Sequence, residues 1–178
     1  MNHNTSTIRR PMIALLAIGT LAFANLASAS PFELRAGMPS VPGTAEFEAG
    51  NMDQAIAKLE PQIDTVQGQR KGSVLSTLCA AYIVKGELGT ATSYCDASVR
   101  YGQRIAHNNR GVLRALQGDF DGADSDFHIA SKNTYGHFEA KVTAARREVA
   151  ERNSKRTQER WAAVRQQGDD LVAEGDPK

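Results

Sequence analysis

The sequence predicts an all-α fold: a short α-solenoid of helix hairpins closed by a C-terminal capping helix. Three glycines, Gly50, Gly86 and Gly118, open the same downstream pattern at spacings of 36 and 32 residues. An apolar face of helical period follows them. Between residue 44 and about Val164 no alternating apolar/polar run of strand type interrupts the helical pattern.

The first 29 residues stand outside the fold. Arg9 and Arg10 close a short positive region, Met12 to Ala24 is apolar, and Ala27-Ser28-Ala29 is a small-x-small cleavage site. The apolar run falls short of the roughly 20 residues of a membrane span. A removable export signal cleaved after Ala29 is expected, with an uncleaved anchor as the alternative. Arg9-Arg10 is only a loose twin-arginine match. No cysteine follows the apolar run, so a lipid anchor is not expected. Residues 30–43 hold Pro31, Pro39, Pro42, Gly37 and Gly43, a breaker density that predicts a flexible leader with no sustained helix.

Residues 44–132 carry the repeats. Each glycine is followed by Asn51, Glu87 or Asp119, then by Met52, Leu88 or Phe120. The fifth residue beyond is alanine in every copy (Ala55, Ala91, Ala123), the ninth is Leu59, Cys95 or Phe127, and the twelfth is Gln62, Ser98 or Ala130. Glycine suits the left-handed end of a first helix. Asn51 and Asp119 suit the cap of a second, and Glu87 does so less well. Alanine suits the point where two helices approach most closely, because a larger side chain would push them apart.

The third copy reads Asn109-Arg110-Gly111, then Gly118-Asp119-Phe120, Ala123, Asp126-Phe127 and Ala130. The second has Leu78, Cys79, Tyr82 and Gly86 on its first helix. On these residues the chain resembles the tetratricopeptide repeat family, over roughly 80 of 149 residues after the signal, at that family's period of about 34. The resemblance implies a right-handed solenoid of antiparallel hairpins. The first copy departs from it: Pro42 and Gly43 fall where its first helix belongs and Pro61 interrupts its second. A half-repeat is expected there.

Residues 133–167 are expected to form a capping or extended helix. Phe138, Val142, Ala145 and Val149 share one face, and the charged opposite face suits the end of a stack. Lys141 to Arg165 holds eight basic and three acidic residues, a solvated face or a seat for an acidic surface. Trp161 and Val164, the late apolar pair, either dock back on the stack or mark self-association. Residues 168–178 are expected to be disordered.

Without residues 1–29 there remain 19 basic and 20 acidic residues, a net charge of −1. That balance does not suit nucleic acid, whose binding requires many phosphate contacts. Cys79 and Cys95 are the only cysteines. An even count behind an export signal points to a disulfide across one hairpin; two buried thiols are the alternative, and without Cys-x-x-Cys a redox pair is not favoured. His107, His128 and His137 make no metal-ligand spacing, with His107 expected to pack and His128 to lie near the surface. No Gly-x-Ser-x-Gly, phosphate loop or dinucleotide fingerprint occurs. Asp119, Asp121, Asp124 and Asp126 read as charges favoured at a helix N-terminus, with Asp126 placed to pair with Arg110 or Arg114. No catalytic residue, metal or cofactor is expected.

By position, the family resemblance implies a groove lined by Thr77, Ala80 and Val84 of the second copy and Asn108, Asn109, Val112 and Leu116 of the third. Asn109 matches an asparagine that in such repeats contacts ligand backbone, a role suited to an amide that donates and accepts. Packing on the neighbouring hairpin is the alternative, above all for Ala80 and Val112. The cationic pattern that clamps a peptide C-terminus is absent. The expectation is a periplasmic, non-catalytic interaction or adaptor module that binds a segment of another envelope protein. The alternative is a structural subunit that oligomerises or docks through its C-terminal helix.

Overall fold

The computed structural model describes residues 32–38, 40–132 and 136–174, with side chains described as far as residue 167. The expected export signal and its cleavage site lie outside the described residues. Among those residues there are seven α-helices and no strand: α1 Thr44–Glu48, α2 Met52–Leu59, α3 Gly68–Val84, α4 Leu88–Val99, α5 Arg104–Leu116, α6 Phe120–Ser131 and α7 His137–Glu174. The chain is all-α, as its pattern predicts.

The three aligned glycines end α1, α3 and α5 with φ values of 81°, 77° and 79°. After each, the next amide closes back on the preceding helix: Asn51 N on Glu46 O (2.8 Å), Glu87 N on Tyr82 O (3.0 Å) and Asp119 N on Arg114 O (2.9 Å). This bond satisfies a carbonyl that the helix end leaves open. The expected caps divide. Asp119 Oδ1 accepts from Gly122 N at 3.0 Å, whereas the Asn51 side chain, exposed to water, makes no cap bond.

Consecutive helices pack on one another from α1 to α7, and α3 also touches α5. Ala55, Ala91 and Ala123 are fully buried, as are Leu59, Cys95 and Phe127 four residues on. The first copy is cut short, with a one-turn α1 and a 3-10 turn at Glu60–Gln62 that takes up Pro61. Cys79 and Cys95 form a disulfide between α3 and α4, their Cα atoms 4.9 Å apart. This pairing fits an oxidising compartment. No helix among the described residues is long and apolar enough to cross a membrane.

Asp126 joins α5 to α6 from a site 1% exposed. Arg110 donates to both its oxygens (Nε to Oδ2 2.8 Å, Nη2 to Oδ1 2.9 Å), Arg114 Nη1 donates to Oδ2 (2.8 Å), and His107 Nδ1 lies 2.9 Å from Oδ1. Both expected arginine partners are therefore engaged. Burial pushes this carboxyl upward, but hydrogen bonds from His107 and Arg110 and the charges of Arg110 and Arg114 outweigh it, leaving it below the ordinary carboxylate value.

Helix α7 has 38 residues and is about 57 Å long at 1.5 Å per residue. Val142, Ala145 and Val149 bury its first half against α6, where Arg146 pairs with Asp124 (2.8 Å) and Asn153 Nδ2 donates to Asp121 (2.8 Å). Arg156 is the last anchor, its guanidinium 4.9 Å from the Phe120 ring centre. Residues 157–167 are all exposed, so Trp161 and Val164 do not dock back on the body. The helix runs to Glu174, seven residues into the stretch expected as disordered tail.

Candidate functional site

The residues expected to line an open groove instead meet the chain itself. Residues 32–36 lie extended across the face shared by α3 and α5 and the chain bends at Gly37, with side-chain amides and a hydroxyl holding the backbone at residues 33, 35 and 37. Asn109 reads Arg35 on both atoms: Oδ1 accepts from Arg35 N (3.1 Å) and Nδ2 donates to Arg35 O (2.8 Å). Asn108 Nδ2 donates to Glu33 O at 2.7 Å, and Gly37 N donates to Thr77 Oγ1 at 2.9 Å. Asn109 is anchored in turn by Ser76, donating to its carbonyl and hydroxyl oxygens at 3.1 Å each.

Side chains alternate with the same period of two. Phe32 stacks on Phe127 with ring centres 6.0 Å apart, Leu34 packs on the apolar core, and Ala36 is 9% exposed. Between them, Glu33 and Arg35 pair with one another (3.2 Å), and the Arg35 guanidinium sits 5.0 Å from the Phe138 ring centre. Gly37 passes close over α3: a Cβ there would come 2.6 Å from Ser73 Cβ, so any side chain would lift the segment. The expected flexible leader is, over residues 32–38, a packed part of the structure.

This corrects the expected groove. Thr77, Asn108 and Asn109 are buried and bind the chain's own segment, not an open surface. Ala80 and Val112 are also buried, Val112 in a cluster with Phe127. Only Val84 and Leu116 are exposed, at 53% and 51%. The asparagine chemistry was legible in the sequence; the ligand was not.

Beside the segment lies an open trough of about 530 Å³. Its lining includes Arg35, Gly37 and Met38 of the segment, Gln69 and Ser73 near the start of α3, Arg104 and Ile105 at the start of α5, and Phe138 of α7. Arg104 has no ion-pair or hydrogen-bond partner among the described residues. Among those residues no group of histidine, cysteine and acidic side chains could hold a metal ion. His128 is exposed as expected, and His137 Nε2 faces Glu33 at 3.5 Å. No family model, curated protein or solved structure matches the chain.

Proposed function

We propose that this chain is a non-catalytic interaction module of the periplasm. In this proposal it is a short right-handed solenoid of antiparallel, tetratricopeptide-like hairpins that receives an extended segment of another envelope protein. What supports the reading above all is the way Asn109, Asn108 and Thr77 engage residues 32–38. They touch backbone and not side-chain identity, which is the chemistry of a surface that seats extended polypeptide. The sequential packing of α1 to α7 and the disulfide support the solenoid arrangement and the exported address.

Magnitudes decide where the partner goes. The segment is tied to α1 by only residues 39–43, and a tether this short gives an effective concentration on the order of 1 mM. A partner at about 1 μM would need roughly a thousandfold greater intrinsic affinity, or about 4 kcal/mol, to displace it. The partner therefore belongs in the open trough. A structural subunit docking through α7 is the second reading, supported by the exposed Trp161 and Val164, at 61% and 55%.

The test is capture from the envelope with the exported full-length chain and two double variants at exposed positions. Loss of the wild-type partner in Met38→Glu with Arg104→Glu, and its retention in Trp161→Ala with Val164→Glu, is the expected result. The reverse favours the structural subunit. Retention in both overturns the proposal.

A further inference from the structure

Helix α7 leaves the body well before it ends. At its last anchor, Arg156, Nη1 donates to the Gly118 carbonyl and the guanidinium sits over the Phe120 ring. Residues 157–167 are exposed on every side, about 16 Å of helix at 1.5 Å per residue, and the helix continues to Glu174. Among the described residues, Glu159, Arg160 and Arg165 have no ion-pair partner. Helices in water draw most of their stability from packing an apolar face, and this stretch has an apolar face without a cover.

That face has the form of one side of a helix pair. Thr157, Arg160, Trp161 and Val164 enclose a notch of about 180 Å³. A residue with those three, four and seven positions after it forms the hole that receives one knob of a facing helix. Trp161, Val164, Gly168 and Leu171 recur at spacings of three, four and three, the a and d positions of a heptad. The same helix therefore offers a hole at Trp161 and an apolar knob at Leu171.

Charge selects the occupant. Residues 155–165 carry four basic residues and one acidic, whereas residues 166–174 carry three acidic and none basic. The stretch is complementary to itself only when reversed. A parallel pair would set Arg160 across from Arg165 of the second copy, like charge on like. An antiparallel pair sets Trp161 against position 171, Val164 against position 168 and Arg160 beside position 174. In that register position 174 lies across from Gln158, so the overlap ends just short of Arg156, where the body begins.

We propose that α7 pairs antiparallel with α7 of a second copy over residues 157–174, each Leu171 filling the Trp161 notch of the other. This goes beyond the interaction-module reading and holds whether or not the trough takes a partner. The overlap is under three heptads, at the small end of specific interfaces, below about 1,200 Å². The dimer should therefore dissociate on the order of 10 μM.

Sedimentation equilibrium of the full-length exported protein over roughly 1–300 μM, read beside tryptophan emission, tests the pairing. Trp161 is the only tryptophan, so its emission reports this face alone. A monomer–dimer equilibrium is expected, with emission moving to the blue in step with the dimer fraction. Leu171→Ala weakens it at least about tenfold by emptying the notch. Arg160→Glu and Glu174→Arg each set like charges together and weaken it by about tenfold. An equimolar mixture of those two variants regains wild-type strength, because each position 160 then meets an opposite charge at 174.

Self-pairing is overturned by a monomer whose emission stays red at the highest concentration, or by a dimer that leaves the emission unchanged. A mixture no tighter than either variant alone overturns the antiparallel register. If wild type stays monomeric while Trp161→Ala with Val164→Glu loses an envelope partner, another protein covers α7 and self-pairing fails. If the dimer forms while Met38→Glu with Arg104→Glu keeps its envelope partner, only the trough reading fails.

Discussion

Replacing Asp126 by alanine is expected to destabilise the protein by about 3 kcal/mol, the low end of the range for breaking a buried ion pair. The carboxylate is 1% exposed and neutralises Arg110 and Arg114, whose side chains are 17% and 30% exposed. Alanine leaves both guanidinium groups near the α5–α6 interface without their main counter-charge. The cost stays at the low end because Arg110 keeps Asp96 at 3.1 Å and Arg114 keeps the Gly122 carbonyl at 3.1 Å. At about 2–4 °C per kcal/mol for a chain of this size, the melting temperature falls by roughly 6–12 °C.

The pH dependence supplies a second readout. A carboxyl held below its ordinary value binds fewer protons folded than unfolded, so its stabilisation is present above about pH 4 and is lost as pH falls through the folded value. Urea unfolding of wild type and Asp126→Ala at pH 7 and pH 3 should give a gap that narrows in acid. A loss under about 1 kcal/mol at pH 7, or an equal gap at both pH values, refutes the assignment of Asp126 as the charged link between α5 and α6.

Other outcomes follow from single contacts. Reducing Cys79–Cys95 should lower unfolding free energy by up to about 3 kcal/mol in the loop-entropy view, and the unreduced, denatured protein should carry no alkylatable thiol. Gly111→Ala should cost about 1–3 kcal/mol by overpacking, because a Cβ there would come 2.8 Å from the Phe127 ring; ring chemical shifts of Phe127 report the displacement. Tyr82 donates to Glu60 Oε1 at 2.7 Å, and that bond, aided by burial, pushes its hydroxyl up to about 12. Its stabilisation holds below the ordinary value near 10 and fades as pH rises toward 12. Absorbance titration should show Tyr82→Phe removing the latest-titrating hydroxyl.

The helices were legible because their signals are local and repeated. Glycine, alanine and a bulky residue at fixed offsets mark each joint, closest approach and filled space, and all three alanines are buried as that pattern requires. The disulfide followed from count and expected compartment. The segment at 32–38 was missed because Pro31, Gly37 and Pro39 mask a shorter signal inside them. Phe32, Leu34 and Ala36 alternate with Glu33 and Arg35, the period of an extended chain with one buried face. Which surface receives that face depends on contacts some 74 residues apart in sequence, and no local pattern encodes them. Asn109 was found for the right chemistry and assigned the wrong ligand. The extent of α7 was underestimated because Gly168, Asp169 and Asp170 follow Val164 and are poor helix formers, which interrupts the pattern before Leu171 and Val172.

Whether the chain occupies its own α3–α5 face is decided by nuclear Overhauser effects on the full-length exported protein. Cross-peaks from the Asn109 side-chain amide to the Arg35 backbone amide, and from the Phe32 ring to the Phe127 ring, are expected in wild type. In Asn109→Ala the Phe32–Phe127 cross-peak should weaken as the bidentate hold on Arg35 is lost. Random-coil shifts for residues 32–38 in wild type, with neither cross-peak, would contradict it and return Thr77, Asn108 and Asn109 to an open groove.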